Sequence, residues 1–238
     1  MKIWVFTICH NEAQMAPWFL RHYGSFADRI LVWDDQSTDG TREILKAHPS
    51  VTLFDCPWQG LNEDKALHLA YDVYPSARGK TDWCIWVDMD EFVHSLVLMN
   101  TLRYGAMFGV LRPKGYNMVS EGLPINGYEH KQIYDHIKTG VEAPLYSKPV
   151  IFKPEETVRW VRGKHFCEPD AARGEMFPEL RLLHYRYLGA EFTRLKNAKN
   201  YERLGNDKGV GWTCDPTYKG EGSPEWAGTL KNLAFHVL

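Results

Sequence analysis

Short apolar runs that do not alternate with polar residues, each followed by a helix-period segment, constrain this chain more than any other feature. Ile3 to Cys9 and Ile30 to Trp33 are such runs, the pattern of strands covered on both faces inside a parallel sheet. Between them Met15, Trp18, Phe19, His22, Tyr23 and Phe26 recur at three- and four-residue spacing, which stacks them on one helix face able to dock on that sheet. The alternation continues with a helix from about Gly40 to Ala47, a strand Val51 to Phe54, a helix from about Glu63 to Tyr74 and a strand Trp83 to Val87. Asn62 is placed to cap the third helix, Glu63 and Asp64 complement its dipole, and Pro75 ends it. Repeated strand-helix units with right-handed crossovers build a doubly wound α/β sheet, whose ligands bind beyond the carboxyl ends of the strands. Functional residues are therefore expected just after each strand.

The rest of the chain is less regular. Strands are expected at Met107 to Leu111, Tyr146 to Phe152, Val158 to Val161 and Leu180 to Tyr187, then a basic helix from Glu191 to Leu204. The Gly/Pro-rich residues 206–238 read as a tail or lid. With 238 residues, 44% of them hydrophobic, the chain has material for one large core and reads as a single domain over residues 1–238. Lys and Arg (28) nearly balance Asp and Glu (30), which argues against a protein that neutralises a nucleic-acid backbone. Five cysteines without a C-x-x-C pair exclude a disulfide framework and a zinc ribbon, and fit a reducing compartment. No cleavable leader and no run of eighteen apolar residues is present, so a cytoplasmic protein without a transmembrane segment is expected.

Acids gather where the strands end. In WCIWVDMDEF, Asp88 and Asp90 sit two apart at the end of an apolar strand, and strand alternation sends both carboxylates to one side. Two acids exposed together repel unless a cation lies between them, and Mg2+ or Mn2+ is the hard ion that suits carboxylate oxygen. In ILVWDDQSTDGT, counting Asp35 as position one of a calcium loop puts Lys46 at position twelve, where a bidentate Glu is required, so that reading fails. Asp35 at the end of the second strand is instead placed to accept from a nucleotide base or ribose. Asp34 reads as the start of the turn and Asp39 as the cap of the next helix.

Taken together, CHNE (Cys9 to Glu12), DDQSTDGT and DMDEF resemble the GT-A glycosyltransferases, in particular their family 2-like members, over about the first hundred residues in matching order and spacing. The resemblance implies a GT-A type three-layer αβα sandwich with a mainly parallel central sheet. It implies a nucleotide-diphosphate-sugar donor, UDP-linked before GDP-linked, and a hydroxyl acceptor such as a glycan or lipid-linked sugar. Residues 1–100 would then hold the donor and residues 101–205 the acceptor. Asn11, Glu12, Asp35, Lys65 and Asp88 fall at donor-binding positions, and Asp88 and Asp90 at the Mn2+ or Mg2+, with His184 of LRLLHYRYLG as a further ligand and His165 its rival. Inverting transfer needs a base for the acceptor hydroxyl, for which Glu168 and Asp170 rank above Glu121.

Other residues carry plainer expectations. Lys148 and Lys153 read as guards of an edge strand that are also placed to meet phosphate. Arg194, Lys196, Lys199 and Arg203 of the basic helix read as a solvated face, with anionic acceptor, donor phosphate or peripheral membrane contact as the functional alternatives. Trp58, Trp212 and Trp226 are candidates to stack on sugar rings. Competing functions on the same scaffold are a nucleotide-sugar-binding protein without turnover and a sugar-nucleotide pyrophosphorylase. The latter needs a Gly-rich basic loop after the first strand, and CHNEAQ lacks one.

Overall fold

The computed structural model describes residues 1–124, 130–161, 167–168, 175–204 and 223–238. The chain runs β1 (Ile3–Cys9), α1 (Ala16–Tyr23), β2 (Arg29–Asp34), α2 (Thr41–Lys46), β3 (Val51–Asp55), α3 (Glu63–Val73) and β4 (Trp83–Trp86). It continues with β5 (Glu91–His94), α4 (Leu98–Tyr104), β6 (Val110–Ser120), α5 (Ile133–His136), β7 (Thr139–Glu142), β8 (Ile151–Phe152), β9 (Arg159–Trp160) and β10 (Cys167–Glu168). The remaining elements are β11 (Glu175–Leu188), α6 (Gly189–Arg203), α7 (Pro224–Leu233) and β12 (Phe235–His236).

Strand alternation explains the layers. In β1, Ile3, Val5 and Cys9 face one core with Trp18 and Phe19 of α1 and Leu45 of α2. Trp4 and Phe6 face the other with Ala70 of α3 and Tyr74 beyond it. β2 divides likewise, Ile30 and Val32 against Leu31 and Trp33, and so does β4, Trp83 and Ile85 against Cys84 and Trp86. Burial on both faces is why these runs do not alternate in polarity. On the α3 side the aromatic rings form a stacked layer, with Phe6 5.4 Å from Trp86 and Trp33 5.0 Å from Phe54. Strands β4, β1, β2 and β3 are neighbours and parallel, the α/β core expected from the sequence. Asn62 caps α3 by accepting from the Lys65 amide at 2.9 Å, and the helix passes into a 3-10 turn at Tyr74–Ala77 around Pro75.

Beyond β4 the sheet mixes directions. β8 is antiparallel to β4, and β6 pairs antiparallel with β8 and β7 while running parallel to β11. β5, which the sequence reading did not separate from the acid motif, returns antiparallel to β11 and puts His184 opposite Glu91. The strand expected over Tyr146 to Phe152 is reduced to Ile151–Phe152, because residues 144–146 form a 3-10 turn and Pro149 has no amide to offer a ladder. Of residues 206–238, expected as a tail or lid, the described part is built into the fold. Ala227 and Leu230 of α7 pack on Val119 and Tyr187, and β12 pairs with β7.

Candidate functional site

The site is the rim at the carboxyl ends of β1, β2 and β4. There the first two motifs are laced together by hydrogen bonds from backbone to side chain. The Asn11 amide donates to Ser37 Oγ (2.8 Å), the Glu12 amide to Thr41 Oγ1 (2.8 Å) and the Ala13 amide to Asp39 Oδ2 (3.0 Å). In return Asn11 Oδ1 accepts from the Thr38 amide at 2.7 Å. Asn11 takes a left-handed conformation at φ +50°, which Asn tolerates better than most residues. The spacing of the DDQSTDGT turn thus has a structural reason, since its Ser, Asp and Thr hold the CHNE loop. Asp39 also accepts from the Thr41 amide (3.1 Å), but the N-cap of α2 is Gly40, which offers no side chain, so Asp39 sits one residue before the capping position expected of it. Asp34 is fully buried on Arg42 Nη1 (2.6 Å), and although burial alone would raise its carboxyl, hydrogen bonds from Ser37 and Arg42 hold it below its ordinary value.

Asp88 and Asp90 do not project as a pair. The expectation rested on strand alternation, but β4 ends at Trp86 and residues 88–91 close a turn in which the Glu91 amide donates to the Asp88 carbonyl at 3.0 Å. Asp88 is half-buried, whereas Asp90 is 4% exposed and turned inward, its carbonyl accepting from the Tyr185 amide at 2.8 Å. Glu91 braces the turn, accepting from the Asp88 amide (3.1 Å) and from Lys148 Nζ (2.5 Å). Lys148 is therefore a buried partner of this turn and no guard of a strand edge. His184 reaches the rim as expected. Its Nε2 lies 3.5 Å from Asp90 Oδ2, its Nδ1 donates to Asn117 Oδ1 at 2.9 Å, and Tyr146 stacks on its ring at 4.1 Å.

The basic helix supplies what the sequence reading missed. Lys196 pairs with Asp90, Lys199 with Glu12 (2.8 Å) and Arg203 with Asp35 (2.7 Å). The expectation of a solvated face fails at these three residues because the helix packs this face inward against acids. Arg194 does remain exposed, paired with Glu191 on the helix surface. Lys199 also donates to the Asn11 carbonyl (2.8 Å), and Lys196 lies 3.8 Å from Glu12. Asp35 is 1% exposed, with both oxygens accepting from the Gly60 amide (3.1 and 3.2 Å) besides Arg203. Gly60 sits at φ +89°, where a Cβ would stand 2.7 Å from the Arg203 carbonyl, so glycine is what lets α6 close on this loop. Burial would raise the Asp90 carboxyl, but the Lys196 charge and His184 hold it well below the usual carboxylate range. Burial would likewise lower Lys196, and Asp90 and Glu12 reverse this, leaving it raised. In Lys199 burial wins over Glu12, and the amine is lowered. The one sequence signal for this role was the spacing of three cations at three and four residues, which the diluting acids Glu191 and Glu202 obscured.

The remaining candidates separate. Lys65 lies exposed on α3 and is not brought to the rim by any interaction among the described residues. Glu121 is exposed and pairs with Lys231 of α7. Glu168 has its backbone in β10, opposite Arg159 of β9; its side chain, with Asp170, His165 and Trp212, lies outside the described residues. Trp58 donates to the Gly60 carbonyl (3.1 Å) and Trp226 packs edge-on against Tyr187 (4.8 Å). Lys153 faces the Trp83 ring at the opposite end of the sheet, where an open pocket of about 800 Å³ is lined by Lys2, Thr81, Leu102 and Arg103 and carries none of the acid motifs. The residues do not fit a resident divalent ion as they stand. Asp90 is engaged by Lys196, and no group of three His, Cys, Asp or Glu side chains suited to a metal occurs among the described residues.

Comparison with known proteins bears on the fold and on part of the sequence. No family model matches the chain. It is 36% identical over 103 residues to an uncharacterized protein of Mycobacterium tuberculosis, a match covering 40% of this chain and 25% of that protein. It is 30% identical over 95 residues to a glycosyltransferase family 92 protein of Oryza sativa subsp. japonica, covering 38% of this chain and 16% of that one. The matches thus span a quarter or less of these relatives. Among solved structures, Staphylococcus aureus TarS superposes with a TM-score of 0.51 at 14% identity, over 90% of this chain and 42% of that one, which is a likeness of fold. No helix among the described residues is long and apolar enough to cross a membrane.

Proposed function

We propose that this chain is the donor-binding part of a glycosyltransferase, moving a sugar from a nucleoside-diphosphate donor to a hydroxyl acceptor. The observation that carries this reading is the delivery of Glu12, Asp35 and Asp90 to the carboxyl ends of adjacent parallel strands, where open α/β sheets bind ligands, under a helix whose cations meet all three. The partial sequence match to a family 92 glycosyltransferase supports the same class.

In this reading Asp35 and the CHNE loop face the nucleoside, and the cations of α6 face the diphosphate. When the bond from the anomeric carbon to the diphosphate breaks, its electron pair stays on the β-phosphate oxygen, and fixed ammonium groups stabilise that developing charge. The acceptor oxygen forms the new bond and yields its proton to a carboxylate, for which Glu168 and Asp170 remain the proposed bases. UDP is the first nucleotide to examine and inversion the expected outcome. The resemblance implies Mn2+ or Mg2+ at Asp88, Asp90 and His184. No step here is routed through it, because Asp90 already holds an ammonium.

The test is a donor panel read as released nucleoside diphosphate, with mass spectrometry of the product. Release that disappears in Asp35→Ala while the fold survives supports transfer. Tight nucleotide binding with no turnover of any donor or acceptor in the panel would leave a binding protein on the same scaffold.

A further inference from the structure

Lys196, Lys199 and Arg203 recur on one face of α6, and each reaches the acid at the end of a different strand or turn. Helix α6 packs Phe192 against the core, but the residues it buries fully are Thr193 and Asn197, and Leu195 is half exposed to solvent. Its rim-facing side docks through ion pairs. Lys196 is central to it, since it contacts Asp90, lies 3.8 Å from Glu12 and is itself 10% exposed. His184 closes the other side of Asp90 at 3.5 Å. A divalent ion brought to Asp90 would stand beside this ammonium, and like charges at contact distance in a desolvated site repel strongly.

We propose that Lys196 is the resident cation of the rim. Its ammonium takes the place at Asp90 that a divalent ion would take and, with Lys199 beside it, meets the donor diphosphate. The second half rests on the donor-site reading above, whereas the first rests on the ion-pair geometry alone. An ammonium does this work as a compact point charge with three donors, one of which serves Asp90 while Glu12 is near enough only for charge attraction, so that donors are left for a phosphate oxygen. Helix α6 is then a clamp that stays seated when nucleotide binds.

Three measurements test this. Mn2+ alone is titrated into the wild-type protein and into Lys196→Met, following the free-ion electron paramagnetic resonance signal. The expected result is no saturable uptake by the wild type and weak uptake, if any, confined to Lys196→Met; saturable uptake by the wild type overturns the proposal without need of any variant. UDP, GDP, CDP and dTDP are then titrated calorimetrically into the wild type with EDTA and with Mn2+. Affinity in EDTA within about threefold of that with Mn2+, falling at least about tenfold in Lys196→Met, supports the proposal, and loss of binding in EDTA overturns it. Finally, amide exchange over residues 189–203 should slow when the bound nucleotide is added; faster exchange would show α6 leaving the rim and overturn the clamp. Failure of all four nucleotides to bind overturns the donor-site reading and the diphosphate half with it, while the Mn2+ titration still decides what occupies Asp90.

Discussion

Helices α1 and α6 both pack against the same sheet, and they do so by opposite means. α1 buries Trp18, Phe19 and Tyr23 in an apolar core, with Phe19 and Tyr23 rings 4.5 Å apart and Tyr23 Oη donating to the Glu91 carbonyl at 2.9 Å. α6 lies over the ends of the strands and is held by cations on carboxylates. Apolar burial is non-directional and indifferent to what approaches the surface. Ammonium groups at a rim hold a carboxylate and still have a donor left for an anionic ligand, so the helix fastened by charge is the one that can meet a substrate from its seat.

The largest effect should come from the apolar side. Trp18→Ala empties a fully buried site and should cost about 3–5 kcal/mol of unfolding free energy, read by urea denaturation, with nucleotide affinity of the folded fraction unchanged. On the ionic side, Asp90→Asn leaves Lys196 buried without its charge partner and should cost about 3 kcal/mol. Adding Lys196→Met to it should recover part of that loss, whereas strictly additive costs would mean that the pair is not coupled. Gly60→Ala places a side chain at φ +89° against the Arg203 carbonyl and should cost about 1–3 kcal/mol, with the added exchange confined to α6 and its neighbours.

A smaller effect separates the two helices by pH. His22 of α1 donates to the Val93 carbonyl (2.9 Å), and its burial lowers its pKa to about 3. A group whose folded pKa is depressed contributes stability above the unfolded value and loses it as pH falls toward the folded one. Below about pH 6.5 the unfolded chain takes up a proton at His22 that the native chain refuses, which removes about 1.4 kcal/mol per pH unit. His48 and His94 are lowered in the same sense, so His22→Gln should reduce the slope between about pH 6 and 4 by one proton without abolishing it. Asp90 acts further down. Its depressed carboxyl contributes above the ordinary carboxylate range and is lost only as pH falls through its lower native value, so loosening of α6 belongs to stronger acid. An unchanged slope in His22→Gln would sink the assignment.

Much of the first half was legible because both-face burial leaves apolar runs and helix-period faces in the chain itself. The ends of β1 and β2, the Asn62 cap and the place of His184 followed from those patterns and from the motif resemblance. The turn at Asp88 to Glu91 was not, because alternation holds only while the strand continues, and β4 stops at Trp86, one residue before the apolar run ends. Lys148 was misplaced for a related reason, since a lysine in an apolar stretch reads as an edge residue until its partner Glu91, 57 positions away, is brought beneath it.

The sequence by itself determined the doubly wound core and the strand ends at which its acids would collect, since local hydrophobic period decides which faces must be buried. Which acids point into the rim and which cations answer them was decided by the tertiary structure, because Lys196 meets Asp90 across 106 positions, Lys199 meets Glu12 across 187 and Arg203 meets Asp35 across 168. Charge pairing leaves no periodic trace in a chain, and its energy depends on a distance and a desolvation that exist only once the sheet has formed.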